Sequence, residues 1–468
     1  MAVQTPARTS ATALTAGQVT MLAAVALAVL GKGAFYRQGQ LLSGGVLALA
    51  VVLTVATSRG RPFARGVPRS IMLVVASLLA FGLWATVRGA LAGDGTSGVV
   101  VLAFAAALSG GVVMGHLATS PQRTMLRHAI IGLGALSGIA GWAGVVWRIN
   151  SLALPGSYVW RASGTLTYEN ALACLLVLTA LVTVAVLVER WTPAAATALC
   201  LMLVGAAATQ SRGGALALLC GAATLVACLG WRPVLDVAWR PAAGAVVAAA
   251  GLVPSAPVLA PARPLPAVVA LCAGVVVAAW PRRRRAPVPR VVVAVVALLS
   301  LTLAGAGLAL RVDPAALTSL ESRLTLNSRH RAAQHRAAVA ELASHPVIGT
   351  GPGQADLRWR QGRQTLRARF VHNEYLQVAV ELGMVGAVLL LAVLAAIGHA
   401  LWLARAAGGA PWAGVAAALV ATAVYGSYDF VWHLPAIPFI AVLLAGTATV
   451  PNEASRERDP DHTPHPTP

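Results

Sequence analysis

Charge is scarce in this sequence, and negative charge scarcest of all. Of 468 residues 11% are charged, 58% are hydrophobic, and Asp plus Glu number only 15. A soluble chain carries about a quarter charged residues, so a water-soluble globular protein is excluded and a polytopic membrane protein is indicated. Cysteine is sparse too. The five present (Cys174, Cys200, Cys220, Cys228 and Cys272) all fall in apolar runs without paired external positions, and read as small core residues, neither disulfides nor metal ligands. The glycine-rich stretch VIGTGPGQ (347–354) lacks the Lys-Ser or Lys-Thr of a nucleotide-binding loop and does not join a strand to a helix, so it reads as a tight turn. The first apolar run lacks a basic start and a small-residue cleavage site, which excludes a cleaved signal.

What the sequence does have is apolar runs near the ~20 residues that cross a bilayer, separated by arginine-bearing breaks. They predict an all-α polytopic membrane protein of about fourteen transmembrane helices. The spans fall near 14–36, 39–58, 70–87, 96–119, 126–147, 167–188, 193–210, 213–229, 242–260, 264–280, 291–310, 377–404, 411–428 and 433–450. The expected organisation is an N-terminus at 1–13, a membrane domain over 14–310, one large, partly helical extracytoplasmic loop over 311–376, a second membrane section over 377–450 and a disordered tail over 451–468. Arginine in the short loops sets orientation. Alternate breaks carry Arg59, Arg61, Arg65 and Arg69, then Arg123 and Arg127, Arg190, Arg232 and Arg240, Arg282 to Arg285 with Arg290, and Arg405. Both termini are therefore expected in the cytoplasm, with Lys32 and Arg37 as the main exception to the bias.

The formal net charge is +20. Much of it is this inside-positive bias, so nucleic acid is not an expected partner. The long outer segment from Arg311 to Glu374 defies the bias, with ten arginines against Asp313, Glu321, Glu341, Asp356 and Glu374. Planar guanidinium groups fit phosphate oxygens; a solvated face beside lipid headgroups is the plainer reading of any one of them. Within the segment, residues 328–346 read as a helix stopped by Pro346. In RFVHNEYLQVAVELGMVGAVLL (369–390), Asn373 reads as a helix N-cap, Glu374 as a first-turn acid and Glu381 as lying at the outer interface. That leaves His372, placed where an imidazole can exchange a proton near neutral pH, although a lone histidine is more often structural.

Five stretches occur in order: RASGTLTYENALA (161–173), TQSRGGALAL (209–218), Arg331 through HPVIGTGPG, FVHNEYLQVAVELGMVG and SYDFVWHLP. In that order and on that topological side they resemble the O-antigen ligase and O-antigen polymerase superfamily of multi-span membrane glycosyltransferases. The resemblance implies transfer of a glycan from a polyprenyl-diphosphate carrier to a hydroxyl acceptor at the outer side of the cytoplasmic membrane, by an inverting reaction that needs no metal or other cofactor. It implies catalytic roles for His372 and Arg212 and diphosphate binding by Arg161, Arg212 and Arg331. Glu169, Asn170 and Asn373 are additional polar candidates. Two positions depart from the pattern. His335 stands where an aromatic residue is common, and Glu169 where a small residue or proline is, which leaves the acceptor open. Polymerisation, with a second lipid-linked repeat as acceptor, remains an alternative, as do a small-anion transporter and a noncatalytic scaffold. A transporter predicts ionisable groups near mid-membrane.

Overall fold

The computed structural model describes residues 13–58, 67–280, 329–361 and 363–449. The expected eleventh span (291–310), loop residues 311–328, Arg59, Arg61, Arg65, Arg282 to Arg285 and Arg290, and the segments 1–12 and 450–468 lie outside the described residues. The helices are α1 (Ala16–Leu30), α2 (Arg37–Ser58), α3 (Arg69–Leu91), α4 (Gly95–Leu117), α5 (Ser120–Trp147), α6 (Glu169–Glu189), α7 (Pro193–Thr209), α8 (Arg212–Leu229), α9 (Trp231–Ala250), α10 (Pro264–Ala279), α11 (Arg329–Ser344), α12 (Glu374–Gly426) and α13 (Ala436–Ala448). Two small antiparallel hairpins pair β1 (Ala153–Pro155) with β2 (Trp160–Ala162) and β3 (Leu357–Gln361) with β4 (Gln364–Ala368).

Among the described residues six helices, α3, α4, α5, α6, α8 and α12, are long and apolar enough to cross a membrane, and α1, α7, α10 and α13 are shorter apolar helices. The chain is thus a mostly helical polytopic membrane protein, while fourteen spans is a larger number than these lengths establish. Boundaries differ in places. The first span, expected over 14–36, is a 15-residue helix closed by a turn at Lys32–Ala34. The ninth, expected over 242–260, starts earlier, at Trp231, with Pro233 in a first turn where its missing N–H costs nothing, and ends at Ala250 before Pro254 and Pro257.

Helix α6 forms the centre of the bundle. Every residue from Asn170 to Leu187 is buried, so its sequence is apolar on all sides. The cysteines divide: Cys174 and Cys200 are buried, but Cys228 and Cys272 are exposed on their helices, so the core reading fails for those two.

Helix ends sort into two groups. At one end, Gln18 near the start of α1 meets Gln122 near the start of α5 at 3.2 Å, and His116 at the end of α4 meets Thr449 after α13 at 2.9 Å. Arg123 and Arg127 in α5 share this end with Gly408, Trp412 and Thr447. At the other, Asn373 just before α12 donates to the carbonyl of Ser427 just after it at 3.1 Å. Element α12 therefore folds back on itself. It turns at Gly409, whose φ of 58° and ψ of −154° are not helical.

Helix α11 and the β3–β4 hairpin form a layer beyond this second end, closed by Ala338, Leu357, Val371 and Val380 with Trp359 and Leu342 packed against them. In the hairpin Arg358 stands directly opposite Arg367. Like charges so placed repel; here Asp356 bridges them, accepting from Arg358 Nε at 2.8 Å and from Arg367 Nε at 2.8 Å and Nη2 at 2.7 Å. Hydrogen bonds from Arg367 and Arg358 hold the Asp356 carboxyl well below the usual carboxylate range. A lowered pKa means this contribution persists above the ordinary carboxylate value and is lost as pH falls through the folded-state one. Asp356→Asn is accordingly expected to speed amide hydrogen exchange in β3 and β4 at neutral pH. Exchange as slow as in the unsubstituted protein would count against the bridge.

Candidate functional site

The second end of the bundle gathers most of the polar side chains singled out in the sequence. Strand β2 carries Arg161, whose Nε donates to the carbonyl of Thr209 at the end of α7 at 3.0 Å and whose Nη1 forms an ion pair with Glu169 in the first turn of α6. Glu169 is thus the counterion of Arg161. Helix α8 begins beside them: Ser211 caps it by accepting the Gly214 amide at 3.2 Å and also bonds the Tyr425 hydroxyl at 2.6 Å. Arg212, the exposed first residue of α8, stands next to Gly213, which packs near Tyr425 and Tyr428.

The hub of the cluster is Asp429, three residues beyond the end of α12 at Gly426. It lies in the turn after α12 with its side chain 2% exposed. Four donors reach it: the Tyr168 hydroxyl at 2.7 Å, the Asn170 side-chain amide, the Phe430 backbone N–H at 2.9 Å and His372 Nδ1 at 3.0 Å. Arg331 of α11 adds an ion-pair contact at 3.6 Å and donates to the Tyr428 carbonyl at 3.3 Å. Burial pushes the Asp429 carboxyl up, but His372, the Tyr168 hydroxyl and Arg331 outweigh it and hold the group below its ordinary value. Burial, with the Asp429 charge and hydrogen bond, pushes the Tyr168 hydroxyl well up, so it keeps its proton and donates.

An ionised carboxylate only accepts. His372 Nδ1 therefore carries the shared proton, and in the neutral imidazole Nε2 is left with its lone pair. The His372 side chain is 23% exposed, so this nitrogen has access to the outside of the cluster. Asn373 caps α12 as expected, accepting the Leu376 amide at 3.0 Å. Tyr168, Phe430 and Phe370 stack in a row with neighbouring centroids 5.2 and 5.1 Å apart and planes within 17°.

Two readings of the 369–390 stretch need correction. Glu374 is more than a helix-start acid: it is buried and accepts the backbone amides of Trp432 and His433 and, at 2.9 Å, His433 Nδ1. Glu381 is not explained by lying near the outer interface alone; it is 8% exposed and accepts from Gln377 at 2.6 Å. The reason is the glycine-rich loop, which is more than a tight turn. Helix α12 breaks at Gly383 (φ 68°, ψ −171°), and residues 346–351 fill the gap. The freed carbonyls of Val380 and Glu381 accept from Thr350 N at 2.9 Å and Gly351 N at 2.8 Å, and that of Leu382 from Trp84 Nε1 at 2.9 Å. The freed amide of Met384 donates to the Pro346 carbonyl at 2.9 Å. Arg88 of α3, itself buried, clamps the loop from beneath, donating to Ile348 O at 2.9 Å and Gly349 O at 2.7 Å. Broken helices persist inside membrane proteins only where such partners satisfy the backbone.

The structure therefore brings Arg161, Glu169, Asn170, Arg331, His372 and Asn373 to one set of helix ends, with Arg212 at the start of the helix beside them. It adds Asp429, Tyr168 and the Glu374–His433 pair, which the sequence reading did not select. A signal for Asp429 existed: it is a rare acid between the last two apolar runs, inside the quoted motif SYDFVWHLP. Chemically the cluster offers a lone-pair nitrogen oriented by a buried carboxylate, beside guanidinium groups suited to phosphate oxygens.

Residues 265–391 match the family described as O-antigen ligase, a span that contains Arg331, His372 and the broken helix. No curated protein matches the sequence. The match supports a ligase- or polymerase-type role in cell-surface polysaccharide assembly. With helices long and apolar enough to cross a membrane, and residues 265–391 similar to the O-antigen ligase family, the chain is an integral membrane protein that carries an O-antigen ligase-like region.

Proposed function

We propose that the chain is an inverting glycosyltransferase that moves a glycan from a polyprenyl-diphosphate carrier to a hydroxyl acceptor at the outer face of the cytoplasmic membrane. The observation that carries this reading is the contact of His372 Nδ1 with Asp429 at 3.0 Å in a cluster that also holds Arg331. The acceptor oxygen forms a bond to the anomeric carbon as the bond from that carbon to the diphosphate oxygen breaks. The bonding pair leaves with the diphosphate, and the acceptor proton passes to His372 Nε2. Asp429 then faces an imidazolium, which it stabilises. Arg331, Arg161 and Arg212 bind the diphosphate and meet the charge that grows on it, so in this scheme guanidinium groups perform the task of a metal ion. The outer placement is supported by Arg123, Arg127, Arg190, Arg232 and Arg405, which belong to the opposite helix ends, where the inside-positive bias would put the cytoplasm.

Asp429→Asn tests the scheme. The amide can donate to His372 and favour the wrong tautomer, and it leaves Arg331 without its carboxylate. Transfer from a defined polyprenyl-diphosphate glycan is expected to fall ~10²-fold or more. A folded variant with undiminished transfer would remove Asp429 from the mechanism. Analysis of the product separates transfer to a distinct acceptor from chain extension.

A further inference from the structure

Beside the Asp429 cluster lies a second carboxylate–imidazole pair that the proposed transfer does not use. Glu374 Oε2 binds His433 Nδ1 at 2.9 Å, with the Glu374 side chain 2% and the His433 side chain 28% exposed. The carboxylate is saturated by the Trp432 and His433 amides. Burial works against a charge on His433, but Glu374, through charge and hydrogen bond, and Glu381 override it and raise the imidazole to about 9. His433 Nε2 has no hydrogen-bond partner among the described residues, so the ring offers one open, charge-assisted donor.

The neighbours of this donor are mixed. The ring stands edge-on to Phe370 at 5.1 Å and to Phe430 at 6.5 Å, and Phe430 is 5.3 Å from His372, so both imidazoles border the same ring. The α1–α2 turn closes the other side. Lys32, Gly33 and Ala34 all have left-handed φ, of 61°, 69° and 55°. For the two non-glycine residues this conformation is unfavourable, and such outliers persist where the surroundings impose them. Here Gly33 packs so tightly on Leu434 that a Cβ would lie 2.5 Å from its Cδ2, and Phe35 meets Phe370 at 5.9 Å. The same turn carries exposed Lys32, next in the chain to Gly33, with its Nζ 5.5 Å from the Tyr36 ring, and Leu41 and Leu42 of α2 are exposed. A cationic edge beside an apolar helix surface suits an anionic group carried on a lipid.

Resting on the glycosyltransferase reading above, we propose that His433, with Lys32, binds a phosphate of the polyprenyl carrier on the α1–α2 side of the site. The probe is polyprenyl monophosphate, which carries no glycan, titrated against the full chain in nanodiscs of zwitterionic lipid. His433→Gln is expected to weaken binding at least tenfold and to raise the donor KM in transfer more than it lowers kcat. His433→Arg, which keeps a cationic donor, is expected to bind within about threefold of the unsubstituted protein by the usual strength of charge-assisted bonds. Equal binding by unsubstituted protein and His433→Gln would overturn the assignment while leaving the transferase reading intact. Displacement of the probe by phosphatidylglycerol at equal concentration would also overturn it, in favour of an ordinary headgroup site. If His433→Gln fails to fold, Lys32→Gln on the exposed turn carries the test, with at least threefold weaker binding expected and unchanged binding contradicting the proposal. Absence of glycan transfer by the unsubstituted protein, whatever the binding result, would instead sink the transferase reading.

Discussion

His372→Ala is expected to lower the proposed glycan transfer by ~10²- to 10⁴-fold, the usual contribution of a positioned general base, with donor affinity expected to stay close to that of the unsubstituted protein. The split follows from geometry. Nδ1 is held by Asp429 and the side chain is partly exposed, so truncation removes the proton acceptor without opening the core. The arginines that would hold the diphosphate remain, Arg161 on Glu169 and Arg331 against Asp429. Steady-state kinetics with a defined donor read the two effects separately. A fall in donor affinity with an unchanged kcat would make His372 a binding residue instead.

The second large effect is on folding. Gly383→Ala places a Cβ 2.1 Å from the Val347 carbonyl oxygen, at a φ of 68°. That atom is backbone, and the loop carrying it is fixed by Arg88 and by the hydrogen bonds across the helix break, so it has little room to move. A loss of at least ~3 kcal/mol is expected from the clash and the left-handed conformation together. Gly398→Ala in the same element is the control. Nothing lies within 4 Å of its Cβ, and a helical Gly→Ala change there is expected to be neutral or stabilising by up to ~1 kcal/mol. Thermal unfolding in detergent, monitored by monodisperse elution, reads both. Equal melting of the two variants would mean that the helix break does not depend on the inserted loop.

This break also marks how far sequence alone could reach. Hydropathy located most of the described apolar helices within a few residues, because α3 to α8 are apolar runs bounded by polar caps such as Asp94, Thr119, Thr192 and Ser211. It failed where proline changed the start of α9 and where α12 exchanges its backbone hydrogen bonds with residues some thirty positions away. Periodicity is local, and no local pattern announces that Thr350 and Gly351 will complete a helix end at Val380 and Glu381.

The candidate site divides along the same line. His372, Arg331, Arg161 and Arg212 were legible because each is a polar residue at the edge of an apolar run, in motifs that resemble a known superfamily. Asp429 and Glu374 were harder. The first sat inside a quoted motif without a reason to choose it, and the second had a sufficient local explanation as a helix-start acid. Their roles come from residues distant in sequence, Tyr168 and His372 for one and His433 for the other. A buried carboxylate is noticed by counting who donates to it, and that count exists only once the chain has folded.

The most direct test is a double-substitution cycle on transfer in proteoliposomes, with a labelled polyprenyl-diphosphate glycan as donor and the unsubstituted protein, His372→Ala, Asp429→Asn and the double variant compared. Residues that act as a unit give non-additive losses. Transfer by the unsubstituted protein is predicted, with the double variant no slower than about threefold below His372→Ala alone. Undiminished transfer by folded His372→Ala, or losses that multiply in the double variant, would contradict the account.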